Sequence, residues 1–181
     1  MFEIDRFIED CRAALPGGQV ALREVMARAV SEPGQVLHAF GAPERAGVSV
    51  IHRSPDLTVL NLVWGPYMTL PPHDHRMWAV IGLYTGREDN IFWRRLPDGH
   101  VEAAGAKALS TGQCATLGHD IVHSVTNPIP RLTCALHVYG GDFFAPGRTE
   151  WDAETLEPRP YDSDALRQRF EDSNALLGKV R

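Results

Sequence analysis

The sequence predicts a mainly β protein, a small barrel or sandwich of short strands preceded by N-terminal α-helices. Two observations carry this. From about residue 47 the chain breaks into short apolar stretches: VSVIHR, LTVLNLVW, HRMWAVIGLYTG, NIFWRRL, VEAAGAKALSTG, CATLG, IVHSVTN and RLTCALHVYGGDFF. The turn signals SPD, REDN, PDG and NPIP separate them, and many short strands at close spacing make sandwiches or barrels. Before that point the apolar residues recur every three or four positions, which is a helical period. With 181 residues the chain has the length for one domain with a real core.

The elements follow in order. In FEIDRFIEDCRAAL, Phe2, Ile4, Phe7, Ile8, Cys11 and Leu15 lie on one helical side, and Pro16–Gly18 break the run. A second helix carries Val20, Leu22, Val25, Met26 and Ala29, and Pro33 starts a short third one through Phe40. Residues 1–46 are therefore read as a helical segment packed on the barrel, 47–145 as the barrel and 146–181 as a tail within the same domain. The tail is rich in proline and charge and ends in a helical stretch, DALRQRFEDSNALL, with Leu166, Phe170 and Leu177 as a narrow apolar edge.

Composition excludes several partners. Hydrophobic residues make up 44% and charged residues 23%, with a net charge of −5 and no basic cluster, so no nucleic-acid partner is expected. No apolar run could span a bilayer, and MFEIDRFIEDCRAAL carries acids inside its apolar pattern, unlike a signal peptide. Cys11, Cys114 and Cys134 are odd in number, far apart and without a CxxC pair. They predict a reducing cytoplasm and argue against a disulfide framework or a thiolate zinc site.

One stretch asks for chemistry. LPPHDHRMWAVIG, from Leu70 to Gly82, places His73 and His75 two apart behind a double proline. On a strand such a pair points to one face, so both imidazoles would enter the barrel with Asp74 turned away. Alone, the pair is a weak signal, because surface and hydrogen-bonded histidines are common. A second stretch, GQCATLGHDIVHSVTN, supplies His123 at the distance of one small-barrel traverse. Three neutral imidazoles suit a borderline divalent metal such as Fe, Zn, Ni or Cu. On one face of an octahedron they leave open positions, whereas a structural zinc is usually closed by a fourth protein ligand.

Together these stretches resemble the paired motifs of the cupin superfamily. Gly65, His73, His75, Gly82 and Gly86 match the first, without its usual Glu, since Ala79 and Val80 occupy that region. Gly112, His123 and Asn127 match the second, with Gly118 and Asp120 in place of its Pro and second Gly. Within the superfamily the chain resembles the thiol dioxygenases, the cysteine dioxygenase-like and bacterial 3-mercaptopropionate-type enzymes, which lack that Glu. WGPYMTLPPHDH, HRMWAVIGLYTG and ALHVYGGDFF carry this likeness, which covers roughly residues 48–161. It implies a cupin double-stranded β-helix, a jelly-roll barrel, with iron(II) on His73, His75 and His123.

The resemblance also implies roles for neighbours. A Ser-His-Tyr relay in the family corresponds to Ala135, His137 and Tyr139, so the serine is missing and His137–Tyr139 remain as catalytic candidates. The plain alternative is a core tyrosine satisfied by a core histidine. The cysteine that cross-links to this tyrosine in mammalian-type enzymes is absent from Ala79–Val80, so no cross-link is expected. Arg148 matches an arginine that follows the tyrosine strand in some bacterial members; it would hold a substrate carboxylate. Its alternative is a surface arginine paired with Glu150 or Asp152. Arg76 departs from the family's Gly after the second His and would reshape the pocket, and Trp78 would wall it. His38, His52, His100 and His119 are not expected to be ligands.

The implied activity is oxidation of a small mercapto acid, cysteine or 3-mercaptopropionate-like, to its sulfinate by O2. Two alternatives stay open: a different cupin enzyme using Zn, Ni or Mn, and a non-catalytic cupin that binds a small molecule. Zn or Ni in a purified sample would not decide the matter, because divalent affinity does not follow biological use. A homodimer is compatible with the family, but no stretch identifies an interface.

Overall fold

A computed structural model describes residues 1–177. Three helices open the chain: α1 (Ile4–Ala14), α2 (Gly18–Ser31) and α3 (Pro33–Phe40). Proline at its first turn gives α3 a preset φ where no amide hydrogen is needed. A helix α4 (Ser163–Leu176) closes the described chain, capped by the Asp162 side chain, which accepts from the amides of Asp164 and Ala165.

Among the described residues, eleven strands form two antiparallel sheets. The first contains β1 (Gly47–Arg53), β2 (Thr58–Trp64), β4 (Ala79–Thr85), β7 (Cys114–Leu117) and β9 (Thr133–Tyr139), in the order β1-β2-β9-β4-β7. The second contains β3 (Thr69–Asp74), β5 (Arg87–Arg95), β6 (Val101–Ser110), β8 (Val122–Thr126), β10 (Thr149–Trp151) and β11 (Pro158–Pro160). Their order is β11-β10-β3-β8-β5-β6. The chain crosses repeatedly between sheets, so that β2-β9-β4-β7 faces β3-β8-β5-β6. That order is the double-stranded β-helix, the jelly-roll barrel expected from the sequence.

Burial explains the texture of the strands. The central strands β2, β9 and β4 of the first sheet are covered on both faces. One face meets the second sheet through Leu60, Leu62, Ile81, Leu83, Ala135 and Tyr139. The other meets the helices, where Cys11, Leu22, Met26 and Val30 pack on Val59, Val80, Leu136 and Val138. Strands buried on both faces read as continuous apolar runs, as LTVLNLVW and CALHVY do. The glycines of the first motif serve this packing: a Cβ on Gly82 would run into Met26 and Val30 of α2, and one on Gly65 into Ser173 of α4.

Three details differ from the sequence reading. REDN is not a turn; Arg87–Asn90 begin β5, and the turn falls at Gly86, whose φ is +75°. HRMWAVIGLYTG is not one strand; the chain turns at Arg76, with φ 54°, and passes from one sheet to the other. The tail contributes two strands as well as a helix, because Glu150 pairs with His73 across β10 and β3. None of the described helices is long and apolar enough to cross a membrane.

Candidate metal centre

The double proline prepares the first ligand. Proline has no amide hydrogen for a strand ladder, and the pairing of β3 with β8 slips between Leu70 and His73. The freed carbonyl of Pro71 accepts from His73 Nδ1–H at 2.9 Å. Beyond the slip, His73 lies directly opposite His123 on β8, which brings together residues distant in sequence. His75 follows at the end of β3, and all three imidazoles are buried.

Their Nε2 atoms converge. His73 and His75 are 3.3 Å apart at Nε2, and His75 and His123 are 3.2 Å apart. Metal–nitrogen bonds of about 2.0–2.1 Å produce separations close to these. His123 Nδ1–H donates to Asn90 Oδ1 at 2.7 Å. His73 and His123 thus each spend the Nδ1 proton on a fixed acceptor and aim an Nε2 lone pair at a shared point. Lone pairs crowded in this way fit a cation between them. Among the described residues this is the one group of His, Cys, Asp or Glu side chains arranged to hold a metal ion. The other four histidines of the sequence reading lie outside it.

The imidazoles are built to stay neutral. Burial, and then the nearby Arg148 guanidinium, lowers His73 from 6.5 to about 3. His75 and His123 are also held well below the usual value, first by burial and next by their neighbouring imidazoles. As pH falls below 6.5 the unfolded chain takes up protons on these groups before the folded chain does. Stability of the metal-free protein therefore falls as pH drops through that value, and His73 alone accounts for a loss of about 2 kcal/mol between pH 7 and 5. Urea unfolding at the two pH values checks this; an unchanged midpoint would contradict it.

Asp74 faces away from the ligands yet is fully buried. Its carboxylate accepts from Arg95 Nη2 at 2.7 Å and from the Thr149 amide at 2.8 Å, which ties the ligand segment to its surroundings.

Tyr139 and His137 line the same chamber as the three histidines. The Tyr139 hydroxyl and His137 Nδ1 are 3.0 Å apart, and the Tyr139 ring meets His75 edge-on at 5.1 Å between centroids. Burial pushes the tyrosine hydroxyl up, so it keeps its proton at neutral pH. Cys134 lies on the opposite, helix-facing side of β9.

Arg148 is buried rather than paired on the surface. Its Nε–H donates to the Asp74 carbonyl at 3.0 Å, its guanidinium lies 4.2 Å from the Phe143 ring and 3.9 Å from that of Tyr161, and Nη2 has no partner. Glu150 and Asp152, the alternative partners, are taken by Arg159. Arg76 and Trp78 stand elsewhere. Arg76 has a 60% exposed side chain near Asp74 and faces a separate surface depression, because the turn at its positive φ throws it outward. Trp78 packs among the helix-side residues, over the space that Gly140 leaves.

Sequence reasoning missed four parts of the site. Glu88 is fully buried and accepts from Trp64 Nε1–H at 2.8 Å and Asn90 Nδ2–H at 2.9 Å. Its carboxylate lies 3.7 Å from His137 Nε2, on the far side from Tyr139. The period-two signal Glu88, Asn90, Phe92 was present, but the turn-like letters of REDN obscured it. Phe143 and Tyr161 also line the chamber.

The chamber itself has about 30 Å³, room for roughly two waters. Phe143, Tyr161 and Leu166 separate it from an outer groove of about 950 Å³ that includes Arg148.

No family model matches this chain. Among solved structures it is similar to an uncharacterized conserved protein with a double-stranded β-helix domain from Klebsiella pneumoniae, at 16% identity and TM-score 0.47 over 61% of this chain and 82% of that one. A cupin superfamily protein from Desulfitobacterium hafniense is 7% identical, with TM-score 0.45 over 56% and 83%. A variant of oxalate decarboxylase from Bacillus subtilis is 13% identical, with TM-score 0.45 over 57% of this chain. The chain spans 27% of the length of that decarboxylase. These neighbours are cupin-fold proteins, and the barrel assignment follows from the strand order above. Fold and site together define a cupin-type barrel with a three-histidine group that could bind a metal.

Proposed function

We propose that this protein is a non-haem iron(II) thiol dioxygenase that oxidises a small mercapto acid to its sulfinate. The observation that carries the reading is the pairing of an all-histidine group with a buried arginine whose Nη2 lacks a partner. Bound iron(II) would supply a site where thiolate and O2 meet and where sulfur gives up electrons to oxygen. His73, His75 and His123 would hold it, and three neutral imidazoles leave its full charge available to attract a thiolate.

The remaining work falls to the chain's own groups. Arg148 offers Nη2 to a carboxylate, while its contacts with Phe143, Tyr161 and the Asp74 carbonyl keep the guanidinium in place. Tyr139 brings a hydroxyl beside the ligands, oriented by His137. The tight apolar chamber keeps water low around the sulfur. A substrate of this class carries its own reducing electrons, so no organic cosubstrate is required.

Oxygen uptake by iron(II)-loaded protein, with 3-mercaptopropionate, cysteine and cysteamine offered in parallel, tests the reading. Uptake with sulfinate formed from the two acids, and much less from cysteamine, is the expected result. No uptake with any of them, at one iron per chain, would sink it.

A further inference from the structure

The stretch that carries His73 and His75 holds no glutamate, yet the Glu88 carboxylate is buried close by. Glu88 is 0% exposed and sits on β5, beside β8, which carries His123. It makes no direct contact with the three histidines. What it touches is Asn90, and Asn90 touches His123.

The chemistry of this chain of contacts is directional. An ionised carboxylate has no proton to give, so it accepts only. Glu88 Oε2 is taken by Trp64 Nε1–H, and Oε1 faces the Asn90 side chain. Asn90 must therefore turn its NH2 toward Glu88, at 2.9 Å, and its oxygen toward His123, at 2.7 Å. An amide oxygen is also only an acceptor, so His123 must place its proton on Nδ1 and keep Nε2 free for a metal.

We propose that Glu88 is a positioning residue for the metal ligand His123, acting through Asn90. The inference rests on the metal-binding part of the function proposed above and not on the thiol chemistry. It explains why a β-strand buries a glutamate and an asparagine two apart with both satisfied. Burying an unsatisfied pair would be costly.

Glu88→Gln keeps shape and removes the directionality. The new amide keeps the Trp64 bond with its oxygen and then presents NH2 to the NH2 of Asn90. Asn90 turns over, and its NH2 faces His123 Nδ1. The His123 proton moves to Nε2, where the metal must bind. The double change Glu88→Gln with Asn90→Asp restores the order: the glutamine NH2 donates to the introduced carboxylate, whose other oxygen accepts from His123 Nδ1–H.

The experiment measures cobalt(II) affinity by chelator competition and the imidazole ¹⁵N spectrum of the metal-free protein. Circular dichroism checks the fold of each variant. Glu88→Gln is expected to weaken cobalt binding by about 10–100-fold and to shift His123 from Nδ1–H to Nε2–H. The double variant is expected to recover both. A folded Glu88→Gln protein with unchanged affinity and tautomer would overturn the proposal, as would a folded double variant that recovers neither. Should the single variant fail to fold, the double variant still decides, because it restores the bonds to Trp64, residue 90 and His123. Absence of thiol oxidation would count against the proposed function alone, since neither readout uses turnover.

Discussion

His123→Ala is expected to abolish metal-dependent activity and to lower metal affinity by more than the ~10–100-fold typical of losing an outer hydrogen-bond partner. The substitution removes one of three converging Nε2 atoms and leaves a pair. It also strands Asn90 Oδ1, whose bond to His123 Nδ1–H is 2.7 Å. An unsatisfied buried acceptor costs about 1–3 kcal/mol, so a modest fall in unfolding midpoint accompanies the loss of metal. His73→Ala is expected to behave alike in metal binding. Titration of each purified variant with iron(II) or cobalt(II), followed by sulfinate analysis, checks both. Wild-type stoichiometry and activity in either variant would contradict the assignment of ligands.

The second large effect belongs to Arg148. Arg148→Met preserves an unbranched chain between Phe143 and Tyr161 but removes the guanidinium. A hydrogen bond to a charged group contributes about 1.5–3 kcal/mol, so kcat/KM for a mercapto acid is expected to fall by about 10–100-fold. The change should appear chiefly in KM if the arginine holds the carboxylate equally in ground and transition states. Cysteamine, which has no carboxylate, serves as the control. Its kcat/KM should stay within a few fold, and an equal loss for both substrate types would assign Arg148 to the architecture of the Asp74 segment instead.

Much of this was legible in the sequence because local pattern and tertiary demand agreed. The HxH pair needed only the alternation of a strand to reach one face, and His123 needed a partner strand to face. The helices declare themselves by their period, and the first sheet by short continuous apolar runs consistent with strands buried on both faces. Other features depended on context that local letters could not carry. Arg87–Asn90 reads as a turn because charged and amide residues favour turns, yet inside the barrel Glu88 and Asn90 satisfy each other. Arg76 looked like a pocket residue because it follows His75. A positive φ, unusual for arginine, sends its side chain outward. Sequence proximity to the ligands suggests a pocket position for Trp78, but the period of two and the bare Gly140 put it on the helix side. Strands β10 and β11 were hidden because prolines and charges are tolerated at a sheet edge.

Ala135, where the thiol dioxygenase pattern that the sequence resembles has a serine, also has a physical context in the fold. Ala135 has no hydroxyl to offer His137, and the Glu88 carboxylate lies 3.7 Å from its Nε2. A carboxylate there favours a proton on Nε2, which is the arrangement that leaves Nδ1 to accept from the Tyr139 hydroxyl.

As a thiol dioxygenase, the protein would direct both atoms of one O2 to a single sulfur. Iron(II)-loaded protein turned over with 3-mercaptopropionate under ¹⁸O2 in ordinary water tests it most directly. A sulfinate in which both oxygens carry the label is the expected result. A product labelled at one oxygen, or disulfide formed in place of sulfinate, would contradict it.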